Sequence, residues 1–522
     1  MLSHKIWDAV VLILMLSVVL LFVVSVANLL IKGSLGSFFT VLTMRIINIV
    51  FGITIFLIIL IMVMENSNPV HTLAWILVLV YLPVIGFFLY LFFGRNWRKS
   101  RLFSRKGLSD SLSLRDLLGD TDHSLVKGEI AIKLSSLLES NSKAILSLHN
   151  KLRIISDTGE AFEAILERIA SAKHHIFLEY FSIARDETGK RLKQLLIQKA
   201  VQGVEIRLIY DDVGSWKLGH RYKADLHKAG VKLQAFMPVW IPFLNSKLNY
   251  RNHRKIVVVD GWCGYLGGLN IGDQYLGKSK YFGYWRDTQL EILGEGALSL
   301  QAIFLTDWFF SSHENLLTLE KFGGYKPSEQ DWARTGVENS KLLMQIASSG
   351  PDSDHATILQ VYFGAITNAT TSIRITTPYL ILNESLVMAL RTASMSGIKV
   401  QIILPGKADH FMVFWGSHSY YEILLEAGIE IYEYMNGFIH AKVLIVDDEI
   451  ASIGTANMDM RSFNHNFELT AMIYDRGASL QASIQFDLDL AHSRRVSLEE
   501  FRHRSILKRT TESICKLFSP LL

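Results

Sequence analysis

Along this chain the apolar positions follow three different spacings in turn. At the start they run almost without interruption: Ala9 to Ile31, Ile46 to Met64 and Leu73 to Phe93. Each run approaches the roughly 20 residues that crossing a bilayer core requires. The pattern predicts N-terminal transmembrane helices, with spans at 9–31, 46–64 and 73–93 inside a membrane region 1–97; two spans with an interfacial lead-in are the alternative. No small-x-small exit precedes Lys32, which argues against a cleaved signal peptide. The long runs then stop, and 98–135 reads as a juxtamembrane linker rich in Ser, Asp, Lys and Arg.

Beyond the linker, short β-branched runs alternate with stretches of helical period. Ala161 to Ala172 reads as a helix, His175 to Phe181 as a strand, Leu192 to Val201 as a helix and Glu205 to Tyr210 as a strand. The same order returns later, with helices over Ile358 to Ala369 and Ser385 to Ser394, and strands over Ser372 to Thr376 and Lys399 to Leu404. This predicts an α/β protein with two duplicated lobes, 136–322 and 337–497, each a mixed β-sheet flanked by helices. The join falls between Gly323 and Gly336. The last stretch, 498–522, mixes Arg and Lys with Phe, Ile and Leu and reads as an amphipathic helix on the lobe or on a bilayer.

One residue pattern occurs at matching places in both halves. The first copy is His253, Lys255, four apolar residues, Asp260, then Gly267, Gly268 and Asn270; the second is His440, Lys442, four apolar residues, Asp447, then Gly454, Thr455 and Asn457. The apolar four, Ile256 to Val259 and Val443 to Val446, read as buried strands, and a turn leads each into a second strand. On extended backbone residues two apart share a face, so each His and its Lys point the same way. A neutral imidazole can attack phosphorus without bringing negative charge, and a lysine can neutralise phosphate oxygens. Two copies therefore propose one phosphodiester site in which one histidine is nucleophile and the other general acid, brought together at a pseudo-twofold interface.

Charge and cysteine content refine the setting. Arg95, Arg98, Lys99, Arg101, Arg105 and Lys106 crowd behind the third apolar run, which predicts a cytoplasmic location for the remainder of the chain. The two cysteines make no disulfide or metal framework. A formal net charge of +4 suits an anionic membrane and does not argue for nucleic acid. No histidine cluster has metal-ligand spacing, so neither a metal nor another cofactor is expected.

The paired His-Lys-Asp motifs resemble the phospholipase D superfamily. Leu248 to Asn252 before His253, the pair Gly267-Gly268, Tyr284 to Thr288, Asn457 to Phe463 and Asn466-Phe467-Glu468 resemble the bacterial cardiolipin synthases in particular. The resemblance implies two phospholipase D-like lobes and the catalytic set His253, Lys255, Asp260, His440, Lys442 and Asp447. Asn270, Asn457, Gly268 and Thr455 would support the phosphate. It also places carboxylates at Asp287 and Glu468 to orient the imidazoles. Asp260 and Asp447, which end strands, read more readily as structural. Gly268 stands where many superfamily members carry Ser or Thr, so the first half-site lacks a hydroxyl.

The implied reaction is transfer of a phosphatidyl group between two phosphatidylglycerol molecules, giving cardiolipin and glycerol at a bacterial cell membrane through a phosphohistidine. Hydrolysis of membrane phospholipids is the alternative. An apolar stretch from Phe236 to Leu244 directly precedes the first motif and reads as a buried loop or an acyl-chain entrance. Which histidine attacks, and the oligomeric state, stay open at this level.

Overall fold

The structure is a computed structural model. It describes residues 36–64, 69–82, 86, 90, 125–239, 250–318 and, apart from a few positions, 322–519. The first expected span, 83–85, 87–89 and 91–93 of the third, 98–124 of the linker, and 240–249 ahead of His253 lie outside the described residues. The chain divides into two compact units, Met1–Arg98 and Lys99–Leu522.

In the first unit, Gly36–Met64 and Pro69–Tyr81 are helices, and Pro69 occupies a first-turn position where its missing N–H costs nothing. Ile58, Met62, Leu79 and Tyr90 form a small buried cluster, with Trp75 edge-on to Tyr90 at 5.5 Å. Counting only the fully described residues, no helix is long and apolar enough to cross a membrane.

The second unit holds two large sheets of matching order, besides a two-stranded parallel pair, Leu380–Ile381 with Met458–Asp459. The first runs Phe438–Ile439, Trp285–Gly294, Cys263–Gly267, Ile256–Val259, His175–Tyr180, Glu205–Asp211, Lys232–Phe236, with Asn150–Asp157 also pairing with Trp285–Gly294. The second runs Leu146–Ser147, Met344–Ser349, Glu468–Ile473, Ile450–Gly454, Val443–Val446, Ser372–Thr376, Lys399–Pro405, Glu430–Tyr434, Ser493–Arg495. In each, the motif hairpin lies antiparallel beside a strand that begins a parallel β-α-β run. Helices with Asp or Asn caps flank the sheets: Thr158–Ser171 from Asp157, Glu187–Val201 from Asp186 and Glu384–Met395 from Asn383. The sequence-predicted elements in both halves therefore exist, with ends displaced by a few residues.

Both lobes fill the space between the sheets. One apolar core runs from Phe177, Leu290 and Phe304 in the first lobe to Phe467, Leu469 and Ile473 in the second. The lobe limits differ from expectation at both ends. Glu129–Ser142 packs on the second lobe's helix Thr357–Thr367, and Leu146–Ser147 adds to that lobe's sheet. In return Phe438–Ile439 leaves the second lobe to pair with Trp285 and Arg286. The C-terminal stretch is two helices rather than one, Leu498–Arg502 and Ile506–Leu517, because Ser505 caps the second by accepting from the Lys508 N–H.

Candidate active site

The exchanged segments assemble the site. Asn252 bridges to Phe467, and the His253 N–H donates to the Phe467 carbonyl at 2.9 Å. His253 thereby lies beside the next residue, Glu468. In the other half Ile439 pairs with Arg286, and the His440 N–H donates to the Arg286 carbonyl at 2.7 Å, setting His440 beside Asp287. Each histidine is thus paired with a carboxylate from the opposite lobe.

His253 Nδ1 is 3.0 Å from both Glu468 oxygens, and His440 Nδ1 is 2.7 Å from Asp287 Oδ2. A carboxylate accepts only, so each pair fixes the Nδ1–H tautomer and leaves Nε2 for chemistry. Lys442 Nζ also lies 2.9 Å from His440 Nδ1. With that nitrogen already donating to Asp287, the contact is between a cation and a ring edge, not a second hydrogen bond. Lys255 Nζ donates to the His253 carbonyl at 2.7 Å, and Lys442 Nζ makes the same bond to His440. Phe181 packs edge-on against the His253 ring at 5.1 Å, and Trp285 lies 5.3 Å from the His440 ring.

The carboxylates are supported unequally. Thr455 Oγ1 donates to Glu468 at 2.5 Å and Asn466 Nδ2 at 3.3 Å. Gly268, at the position matching Thr455, has no side chain because none fits: a Cβ there would lie 2.1 Å from Asp287 Oδ1. The shorter aspartate occupies the volume that the threonine fills in the other half. The missing hydroxyl therefore reflects space for Asp287, and the Thr455 hydroxyl is committed to Glu468.

Burial controls the charges. It brings both imidazoles down to about 4, opposed by Glu468 at His253, and reinforced by Lys442 at His440. It also brings Lys255 down to about 7 and Lys442 to about 8. Burial acts to raise Glu468 as well, yet His253 and Lys255 hold it below the usual carboxylate range; Lys442 and His440 do the same for Asp287. Without ligand the site is two neutral imidazoles facing two ionised carboxylates and two weakened lysines. An entering phosphodiester anion would favour the charged forms of both lysines and of one histidine.

The remaining candidates separate. Asp260 and Asp447, expected within the catalytic set, do not join the histidines. Asp260 accepts from the N–H groups of Lys173, His174 and His175, and Asp447 from those of Thr370, Thr371 and Ser372. Both sit at positive φ, 50° and 57°, at the turn that ends the motif strand. They tie that turn to the start of the neighbouring strand, at the far end from the histidines. Asn270 Oδ1 accepts from the Ser182 N–H at 3.2 Å, while Asn457 Oδ1 is buried without a partner.

Sequence reasoning did not single out the layer beneath the motif. Arg254 turns away from the site to pair with Asp307, and Asn252 donates to Glu179, all four buried. The only signal was their place beside His253, since a polar residue on a buried strand edge needs an internal partner. Among the described residues no group of three or more His, Cys, Asp or Glu could hold a metal ion.

Paired α/β lobes with crossed histidine–carboxylate pairs and two lysines define a phospholipase D-like protein. The family model described as "Cardiolipin synthase, PLD-like domain" matches residues 165–283 and 362–490, and "Phospholipase_D-nuclease N-terminal" matches 52–95. The cardiolipin synthase of Halalkalibacterium halodurans is 43% identical, over 93% of this chain and 94% of its own. That of a Geobacillus species is 44% identical, over 88% and 90%. Among solved structures, phosphatidylserine synthase of Haemophilus influenzae superposes with a TM-score of 0.55 at 15% identity, covering 75% of this chain and 99% of its own, a likeness of fold. The chain belongs to the cardiolipin synthase family of the phospholipase D superfamily.

Proposed function

We propose that this protein is a cardiolipin synthase that moves a phosphatidyl group from one phosphatidylglycerol to another. The crossed pairs, His253 with Glu468 and His440 with Asp287, carry the reading. One neutral imidazole attacks phosphorus through Nε2, and the phosphorus–oxygen bond to glycerol breaks. The other histidine, protonated beside the bound anion, gives its proton to the departing glycerol oxygen. A second phosphatidylglycerol then attacks through its primary hydroxyl. The now neutral second histidine takes that proton, the phosphorus–nitrogen bond breaks, and cardiolipin leaves. Lys255, Lys442 and Asn457 stabilise the charge that builds on the nonbridging oxygens.

The apolar runs at 9–31, 46–64 and 73–93 support a multi-pass protein of the bacterial cell membrane. The basic cluster from Arg95 to Lys106 supports cytoplasmic lobes. The test is incubation of purified enzyme with labelled phosphatidylglycerol, with and without EDTA, followed by separation of the lipids. Cardiolipin and glycerol are expected in both. Phosphatidic acid as sole product would make the protein a hydrolase, and loss of activity with EDTA would overturn metal-free catalysis.

A further inference from the structure

The last helix, Ile506–Leu517, is amphipathic with its faces reversed for a water-exposed domain. A helix lying on a soluble lobe turns its apolar stripe inward. Here the inward face is Glu512 and Cys515, both buried, while Ile506, Leu507, Ile514 and Leu517 are each more than half exposed. The arrangement is held from the polar side. Arg504 Nε donates to both Glu512 oxygens, at 3.1 and 2.9 Å, and Arg504 Nη2 to Glu422 at 2.9 Å. The Lys516 ammonium lies 4.8 Å from the centre of the Tyr420 ring.

Charge selects among possible occupants of that face. Glu512, the helix's one carboxylate, is buried and paired, whereas Lys508, Arg509 and Lys516 are exposed. Exposed cations flanking exposed aliphatic side chains match an anionic lipid surface. The apolar surface also continues towards the site. Helix Phe411–His418 packs against Ile506–Leu517 and exposes Phe411 and Met412. It begins two residues after Asp409, whose charge acts on Lys442 and whose carboxylate accepts from the Tyr379 hydroxyl.

We propose that Ile506–Leu517, with Phe411 and Met412 beside it, docks the catalytic lobes onto an anionic phospholipid bilayer. The test uses the full chain in vesicles of phosphatidylglycerol and phosphatidylcholine, with a nitroxide on Leu507→Cys or Leu517→Cys and a reference label on Glu449→Cys, at an exposed turn. Cys263 and Cys515 are buried. Labels at 507 and 517 should favour oxygen over a water-soluble nickel chelate by about fivefold relative to the label at 449, as immersion at an interface requires.

Water-like accessibility at 507 and 517 would overturn the proposal. So would spin–spin broadening that vanishes on dilution with unlabelled chain, which would show a second copy covering the face. The variant Ile506→Ser/Leu507→Ser/Ile514→Ser/Leu517→Ser should need about tenfold more phosphatidylglycerol at the vesicle surface for half-maximal turnover, because the apolar contribution to docking is lost. Its turnover of detergent-dispersed lipid should be unchanged. Unaltered vesicle kinetics would also overturn the proposal. The labels report immersion whether or not cardiolipin is made, so failure of the transfer reaction is distinguishable from failure of docking.

Discussion

Glu468, on the second lobe, holds the imidazole of His253, on the first, with both carboxylate oxygens 3.0 Å from Nδ1. The reciprocal pair, His440 and Asp287, crosses the other way. Neither lobe contains a histidine together with its own orienting carboxylate, so half of the duplicated chain cannot form half of a working site.

The exchange gives the first prediction. Glu468→Gln and Asp287→Asn keep the shape but remove the pure acceptor that selects the tautomer. Each should lower kcat by up to about 10⁴-fold, the loss that follows when the orienting carboxylate of a catalytic histidine is replaced by its amide. KM and thermal stability should change little. His253→Ala and His440→Ala should abolish turnover outright. Lipid product analysis with each purified variant checks both statements, and substantial cardiolipin formation by either alanine variant would sink the two-histidine mechanism.

Gly268→Ala tests the space beside Asp287. The added methyl would lie 2.1 Å from Oδ1, so Asp287 must shift away from His440. The expected cost is about 1–3 kcal/mol of stability, as for other overpacked cores, with a fall in kcat that Thr455→Ser should not share. The serine retains a hydroxyl for Glu468. Unfolding midpoints and turnover measured side by side would separate the two.

Burial of the histidines makes stability depend on pH with a definite sign. Their folded value of about 4 lies below the ordinary 6.5. Between those values the unfolded chain binds protons that the folded chain refuses, so stability is present above 6.5 and declines as pH falls towards 4. In His253→Ala/His440→Ala this decline should be shallower, by on the order of 5 °C in Tm at the acid end. Thermal unfolding in detergent across that window is the measurement, and an unchanged slope would contradict the assignment.

Arg254 and Asp307 form a buried ion pair under the motif. Arg254→Ala removes the cation of this buried pair and should cost about 3–5 kcal/mol. Arg254→Met/Asp307→Leu should recover most of it, since both members of the buried pair are then replaced by apolar side chains and no unpaired charge is created. Denaturant midpoints of the two variants decide the matter.

Much of the fold was legible because its signals are local. Strands such as Ser372–Thr376 announce themselves by β-branched residues between turn formers, and helices such as Thr158–Ser171 by an Asp cap and a buried stripe. The motif identified His253, Lys255, His440 and Lys442 because their offsets recur. It also drew in Asp260 and Asp447, whose regular spacing from the histidines reflects the length of the strand they terminate. The reversed C-terminal helix was legible only as amphipathic. Its orientation depends on Arg504 reaching Glu422, 82 residues away in sequence.

From the sequence alone came the duplicated α/β lobes, the two His-Lys sets and the apolar N-terminus, since periodicity and repetition act over short stretches of chain. Only the tertiary structure decided which carboxylate serves which histidine. That pairing is set by Phe438–Ile439 adding to the strand at Trp285 and by Asn252 bridging to Phe467. Backbone hydrogen bonds between distant segments leave no mark on the spacing of residues along either one.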